Sequence, residues 1–206
     1  MTPNRRRRQP VVTIGSGRET KLGRRKPFRE SRSVSLIVTN GVKTEKQYFA
    51  ALRGEAWTQS FHVTAKNCAP VALVAHAASE KSTSDYDSVW CVCDVDEYDV
   101  KQAILDAEQF SVGLALSVPC FEVWLLLHLT DCRKAFHNAS EVKRELLKHI
   151  NDWDKTRLRF NDFREGIRLA TERAKSLDSP PANPSTSVWE VLEALASMFR
   201  ESGWVV

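Results

Sequence analysis

The chain has 206 residues, 42% of them hydrophobic and 27% charged, a composition typical of a soluble protein with one sizeable core. Its longest apolar stretch, around residues 124–127, is far shorter than the roughly 18 residues that a membrane helix needs. No apolar segment follows the Arg-rich beginning, so we expect no secretory leader, no membrane association and a cytoplasmic location.

The five cysteines are odd in number and lie mostly inside apolar segments. This usage favours buried thiols in a reducing compartment over a disulfide framework. The alternative is a zinc site, but no C-x-x-C spacing supports it. Its candidate ligands would be Cys91, Cys93, Cys120 or Cys132 with His128 or His137. We therefore expect core cysteines.

Positive charge is concentrated in residues 1–33, which hold eleven Lys and Arg against two acids, whereas the whole chain carries only +4. We expect this stretch to form a polar arm that is attracted to nucleic acid or to an acidic partner surface. A solvated tail without a specific partner is the alternative. The arm residues predicted to contact nucleic acid are Arg5, Arg6, Arg7, Arg8, Arg24, Arg25 and Lys26.

Short apolar runs alternate with helical patterns between residues 34 and 130. A capping-box pattern, Thr44-Glu45-Lys46-Gln47, predicts the first helix, and Pro70 suits the first position of the second. This alternation predicts an α/β fold, with a mostly parallel four-stranded sheet and helices on both faces. The strands are predicted over 34–39, 61–65, 89–93 and 112–117, and the later helices over 71–80, 100–110 and 121–129.

Beyond Thr130 the pattern is helical, and we expect C-terminal helices that pack on the core. Ser140 predicts a helix over 141–150, and a second is expected to run from Asn161 or Asp162 to about residue 175. A second capping-box pattern, over 187–190, predicts a last helix that reaches about residue 200. The expected organisation is a basic arm (1–33), an α/β core (34–130) and a helical part (131–206).

Three predicted strands deliver polar groups to the sheet edge where ligands bind in open α/β folds. In Asp94-Val95-Asp96 the two acids are alternate residues and share a side. Two such carboxylates repel each other unless a hard cation is bound. Mg²⁺ or Mn²⁺ is the expected match. A D-x-D in a solvated turn is the alternative, but the buried strand before it favours a site. The pairs are Asn40 with Glu45, Asp94 with Asp96, and Ser117 with Glu122.

Other side chains in these segments have ordinary explanations as well as functional ones. Glu45 in the first turn of a helix complements the macrodipole, and Lys43 fits an ordinary surface cation. Glu122 lies in one of the most apolar segments, where a carboxylate needs a partner, so we favour a site. His128 is expected to be a hydrogen-bonded core residue.

Four segments in fixed order carry a family resemblance. The first, LIVTNGVKTEKQYF over 36–49, combines an apolar strand with Asn-Gly, Lys-Thr-Glu and an aromatic pair. The others lie within 89–96, 115–125 and 183–188. Together they resemble the RloB-like family over most of 34–190, and that resemblance implies a Toprim-like (Rossmann-like) fold.

The resemblance implies a relation to the Toprim nucleases of OLD-type anti-phage systems, with an ABC-like or AAA ATPase encoded nearby as partner. In that pattern the D-x-D binds metal, and a later Ser and Glu complete a second metal position. Asp94, Asp96, Ser117 and Glu122 would then be metal ligands. The implied catalytic set is Glu45, Asp94, Asp96 and Glu122, with Asn40, Gly41 and Lys43 in support. Two metals would activate water and stabilise the leaving oxygen.

Two residues depart from the family pattern: Asn40 replaces the usual first-strand Glu, and Val118 replaces an Asn. An amide cannot act as a general base near neutral pH. The leading hypothesis is a metal-dependent nuclease that cleaves DNA or RNA as the effector of an anti-phage system. The alternative is an inactive Toprim-fold adaptor or regulatory subunit beside the ATPase. A phosphate-binding protein of doubly wound type is disfavoured because no glycine-rich phosphate motif follows a strand. The sequence leaves homo-oligomerisation open.

Overall fold

The structure is a computed structural model that describes residues 34–95, 98–154 and 156–196. The predicted arm, Asp96 and the predicted end of the last helix lie outside these ranges. The strands are β1 (Val34–Thr39), β2 (Ser60–Ala65), β3 (Ser88–Asp94), β4 (Gly113–Val118) and β5 (Ser185–Thr186). The helices are α1 (Thr44–Leu52), α2 (Pro70–Thr83), α3 (Lys101–Phe110), α4 (Glu122–Leu129), α5 (Ala139–Leu146), α6 (Asn161–Arg164), α7 (Ile167–Lys175) and α8 (Val188–Ala196). None of these helices is long and apolar enough to cross a membrane.

The strands form one sheet in the order β2-β1-β3-β4-β5. β1 to β4 run parallel, and β5 pairs antiparallel with β4, with Thr186 opposite Ser117. The predicted α/β fold with a mostly parallel sheet is confirmed, but the described sheet has five strands instead of four. β5 was missed because it is only two residues long and lies in a Pro- and Ser-rich segment, a composition that predicts a loop.

Side chains along the parallel strands alternate between two apolar layers, because successive residues of a strand point to opposite faces. Ile37 and Val92 belong to the layer that α1 and α4 to α8 cover. Leu36 and Val38 belong to the opposite layer, under α2 and α3. Helices therefore cover both faces, and the C-terminal helices share one apolar cluster with the sheet.

Helix α4 is buried along its length, from Val123 to His128. The segment between α6 and α7 packs closely against it: a Cβ added to Gly166 would lie 2.4 Å from the carbonyl oxygen of His128. The single helix predicted up to residue 175 is therefore wrong. The chain forms two helices, since it turns at Gly166 where it meets α4.

Two predicted helix starts also differ in their capping residues. Lys43 occupies the N-cap position of α1 without a side-chain cap, and the Gln47 side chain of the predicted capping box bonds a distant backbone segment. Asn138, and not Ser140, caps α5 with its side chain. Both residue types are strong N-caps, so the two neighbours could not be separated by sequence.

His128 is a core histidine with both ring nitrogens in hydrogen bonds. Nδ1 donates to the Phe163 carbonyl at 2.8 Å, so Nε2 accepts from the Tyr48 hydroxyl at 3.3 Å. Burial lowers the pKa of His128 to about 3, which keeps the ring neutral. This neutral ring ties α4 to α1 and α6.

We predict that His128 makes the free energy of unfolding decrease as the pH is lowered. Its folded pKa lies below the unfolded value, so its contribution is complete above the unfolded pKa and is lost as pH falls toward the folded one. Between about pH 7.5 and about pH 5.5 the free energy of unfolding should drop by about 1.4 kcal/mol, because the unfolded histidine titrates near 6.5. Urea unfolding at both pH values should show a smaller drop for His128→Gln. The exposed control His149→Gln should keep the wild-type drop, and a full drop in His128→Gln would contradict the assignment.

Candidate functional site

A pocket of about 350 Å³ opens at the edge of the sheet where β1, β3 and β4 end. Its wall combines the segments that follow these parallel strands with the first residue of α5. The lining residues are Asn40, Gly41, Val42, Lys43, Thr44, Glu45, Asn67, Asp94, Cys120, Glu122 and Ala139. Six of the eight residues predicted for the sheet-edge site thus share one pocket, the other two being Ser117 and the undescribed Asp96.

Asp94 is the last residue of β3 and is half-buried. Its Oδ1 accepts a hydrogen bond of 2.8 Å from the N–H of Phe121, directly before α4. Negative charge is favoured at the start of a helix, so the contact is stabilising by itself. It also fastens α4 to the end of β3, which places Glu122, the first residue of α4, on the wall of the same pocket.

Glu45 lies in the first turn of α1 and is only 6% exposed. Its carboxylate lies over Gly41: a Cβ added to Gly41 would be 1.9 Å from both carboxylate oxygens. The glycine therefore makes room for this side chain, and the pair forms one side of the pocket.

Asn40, the residue that follows β1, is held at both its backbone and its side chain. The backbone N–H donates to the Val92 carbonyl at 2.9 Å, and Nδ2 donates to the Cys68 carbonyl at 3.2 Å. A carboxylate cannot donate that second bond. The amide thus ties the end of β1 to the segment that carries Asn67 into the pocket.

Ser117 is not among the pocket residues. It is 1% exposed, and its hydroxyl shares a hydrogen bond of 2.9 Å with the hydroxyl of Thr186 in β5. Ser117 pairs with Asp94 in register, so the pocket begins just beyond it. The predicted second-site role of Ser117, and any role of Asp96, stay predictions.

Cys120, which entered the sequence analysis only as a core cysteine or a disfavoured zinc ligand, lines the pocket. Burial raises the pKa of its thiol, and the carboxylates of Glu122 and Asp94 raise it further. Burial likewise raises the pKa of Cys93, with smaller contributions from Asp94 and Glu45 among others. Both thiols are therefore protonated at neutral pH.

Two other lining residues, Asn67 and Ala139, were missed for a different reason. Each lies far in sequence from the predicted motifs and reaches the pocket only through the tertiary fold. No local pattern marks either of them. Asn67 could have been found only from the position of the segment after β2.

The described pocket brings three carboxylates together: Glu45, Asp94 and Glu122. Carboxylate oxygens are the ligands that Mg²⁺ and Mn²⁺ prefer. In the described ranges, no three His, Cys, Asp or Glu side chains form a ready-made metal-binding group. The pocket thus holds oxygen donors of the type that a hard cation takes, but the described side chains are not grouped as a complete metal site.

No curated protein and no solved structure matches the chain. A family model described as RloB-like protein matches residues 35–195, which is more than half of the sequence. This match covers the whole sheet except Val34, the first residue of β1, and it covers every residue that lines the pocket. The chain belongs to the RloB-like protein family.

Proposed function

We propose that this protein is a Mg²⁺- or Mn²⁺-dependent nuclease that cleaves phosphodiester bonds in DNA or RNA. The observation that carries the proposal is the meeting of three carboxylates, Glu45, Asp94 and Glu122, in one pocket at the carboxyl edge of the sheet. They come from three separate segments of the chain. Like charges gathered in this way favour a bound divalent cation.

The available donors suit such a cation. Mg²⁺ is usually held by one or two carboxylates, and waters and substrate phosphates complete its octahedron. When bound, the metal would supply charge stabilisation and an activated water for phosphodiester hydrolysis. Asp94 and Glu122 would hold it, with Asp96, Ser117 and Glu45 as further ligands or supporting acids.

The protein's own side chains would prepare the site before the substrate arrives. The Phe121 N–H orients the Asp94 carboxylate, and Gly41 lets Glu45 fold over the pocket. Lys43, in the same lining, would attract a phosphate that the acids alone would repel. Groups fixed in this way need less reorganisation during the reaction.

The biological setting follows from family resemblance and is part of the same proposal. The protein would act in the cytoplasm as the effector of a bacterial anti-phage system, with an ABC-like or AAA ATPase as partner. The ATPase would control when the nuclease acts.

A second candidate is an adaptor or regulatory subunit of the same complex that binds metal and nucleic acid but cleaves poorly. The hydrogen bond from Asn40 to the Cys68 carbonyl favours it, because an amide at this position is used for structure. An amide also leaves the first strand without an acid. Glu45 would have to replace that acid in an active enzyme.

The cleavage experiment incubates the full chain, with and without its ATPase partner, with duplex DNA and with tRNA in Mg²⁺ or Mn²⁺. We expect metal-dependent cleavage that Asp94→Asn and Glu122→Gln each reduce by more than the roughly 10–100-fold that loss of an outer-shell partner costs. Glu108→Gln, an exposed acid on α3, is the control and should keep full activity.

Cleavage that survives Asp94→Asn would contradict the proposed site. Absence of cleavage under every metal, with the partner present and metal binding intact, would favour the adaptor.

A separate prediction concerns Gly41→Ala. The new Cβ would meet only the end of the flexible Glu45 side chain, so the carboxylate should leave the pocket while the fold is kept. A ligand at 100 times its Kd stabilises the folded state by about 2.7 kcal/mol. We expect Mn²⁺ to raise the Tm of the wild type and to raise that of Gly41→Ala and Glu45→Gln clearly less.

Gly54→Ala is the matched control, because the nearest atom to its Cβ would be the Ala51 carbonyl oxygen at 3.3 Å. It should keep the wild-type response to Mn²⁺. An unchanged Mn²⁺ response in both Gly41→Ala and Glu45→Gln would remove Glu45 from the metal site.

A further inference from the structure

Four exposed cations lie on elements that border the acidic pocket. Lys43 is among the lining residues, and Lys46 follows in the first turn of α1. Lys143 lies on α5, whose first residue, Ala139, also lines the pocket. Arg157 lies in the segment between α5 and α6. We call these four residues the basic surface.

Two hydrogen bonds hold the segment that carries Arg157 against α1. The Gln47 side chain donates to the Thr156 carbonyl at 3.1 Å and accepts the Leu158 N–H at 3.0 Å. Both bonds hold the two neighbours of Arg157 on α1. The segment is therefore fixed beside the helix that carries Lys43 and Lys46.

The pocket itself brings α5 beside α1. Lys43, the N-cap residue of α1, and Ala139, the first residue of α5, line the same wall. Lys143 lies one turn after Ala139 on α5, so Lys43 and Lys143 border one pocket although they are about a hundred residues apart in sequence. In agreement with this, hydrogen bonds from Thr156 lower the pKa of the Asp154 carboxyl group, and the charges of Lys43 and Lys143 lower it further.

Other described cations form close ion pairs or donate hydrogen bonds within the fold, and these four differ from them in that respect. Among the described residues, the ion pairs within 4.0 Å involve Lys148, Lys175 and several arginines but none of the four. Lys81, as a further contrast, donates to the Phe110 and Ser111 carbonyls. All four side chains are exposed, and within the described ranges none of them is held in a close ion pair.

A pocket lined with carboxylates repels a polyanion, so a substrate phosphate needs positive charge nearby to reach it. We propose that Lys43, Lys46, Lys143 and Arg157 bind the sugar–phosphate backbone of the nucleic acid next to the phosphodiester that enters the pocket. This inference rests on the proposed function, to which it adds the path of the substrate. It is separate from the predicted contacts of the N-terminal arm.

Binding in EDTA tests this surface without requiring cleavage. Fluorescence anisotropy of the full chain would follow labelled duplex DNA and single-stranded RNA over a range of salt concentrations. The variant combines Lys46→Gln, Lys143→Gln and Arg157→Gln, and leaves Lys43 in the pocket untouched. Circular dichroism melts would confirm that it is folded.

Each lost phosphate contact lowers the slope of log K against log salt by about 0.9 on duplex DNA and about 0.7 on single strands. We expect the triple variant to bind more weakly than the wild type, with a slope lower by about 2 to 3. The stronger of the two effects, on DNA or on RNA, would identify the substrate class.

The control is a second triple variant, which loses the same three positive charges at residues outside the basic surface. It combines Lys81→Gln, Arg168→Gln and Lys175→Gln, whose side chains donate hydrogen bonds within the fold. It should bind much more like the wild type. Equal weakening in both triple variants would mean that net charge alone acts, and would overturn the proposal. So would wild-type binding by the first triple variant, the result expected if this surface contacts a partner protein instead.

These outcomes separate the two proposals. Binding that depends on the basic surface, without cleavage in any metal, would keep the surface and remove the nuclease. A wild type that binds no nucleic acid in EDTA at low salt, but cleaves it in Mg²⁺ or Mn²⁺, would remove the basic surface and keep the nuclease.

Discussion

The hydrogen bond from the Phe121 N–H to Asp94 joins the end of β3 to the start of α4. That bond connects two buried elements. β3 is the central strand of the sheet, and α4 is enclosed between the sheet and the C-terminal helices. Because this bond holds the start of α4 against the end of β3, Asp94 and Glu122 line one pocket. Glu45 completes the group from α1, where Gly41 leaves space for it.

Much of this could be predicted from the sequence. Apolar runs that end in polar residues located β1, β3 and β4, and the parallel order of strands brought Asn40, Asp94 and Glu122 to one edge. What could not be predicted depends on distant contacts. The bond from Asn40 to Cys68 joins the segments that follow β1 and β2. Ser117 shares a hydrogen bond with Thr186 of β5, a strand too short to be recognised from the sequence. No local pattern encodes such pairs.

The site combines two opposing electrostatic requirements. Carboxylates gather a divalent cation but repel the backbone of a nucleic acid, whereas lysines beside them do the reverse. In this protein the two kinds of charge come from neighbouring elements, with Lys43 at the boundary. The Asn40 amide stabilises the pocket wall through its bond to the Cys68 carbonyl. In the proposed nuclease the acid for proton transfer would have to come from Glu45 or a bound water, because an amide cannot supply it.

The central claim is that the pocket carboxylates bind a divalent cation. A crystal structure of the full chain soaked in Mn²⁺, with anomalous scattering recorded near the manganese edge, tests it most directly. We expect an anomalous peak in the pocket. Carboxylate oxygens of Asp94 and of at least one of Glu45 and Glu122 should lie about 2.0–2.3 Å from the manganese ion, a range close to that of hard-cation ligands. A saturating soak that gives no peak in the pocket, or peaks only on the outer surface, would contradict it.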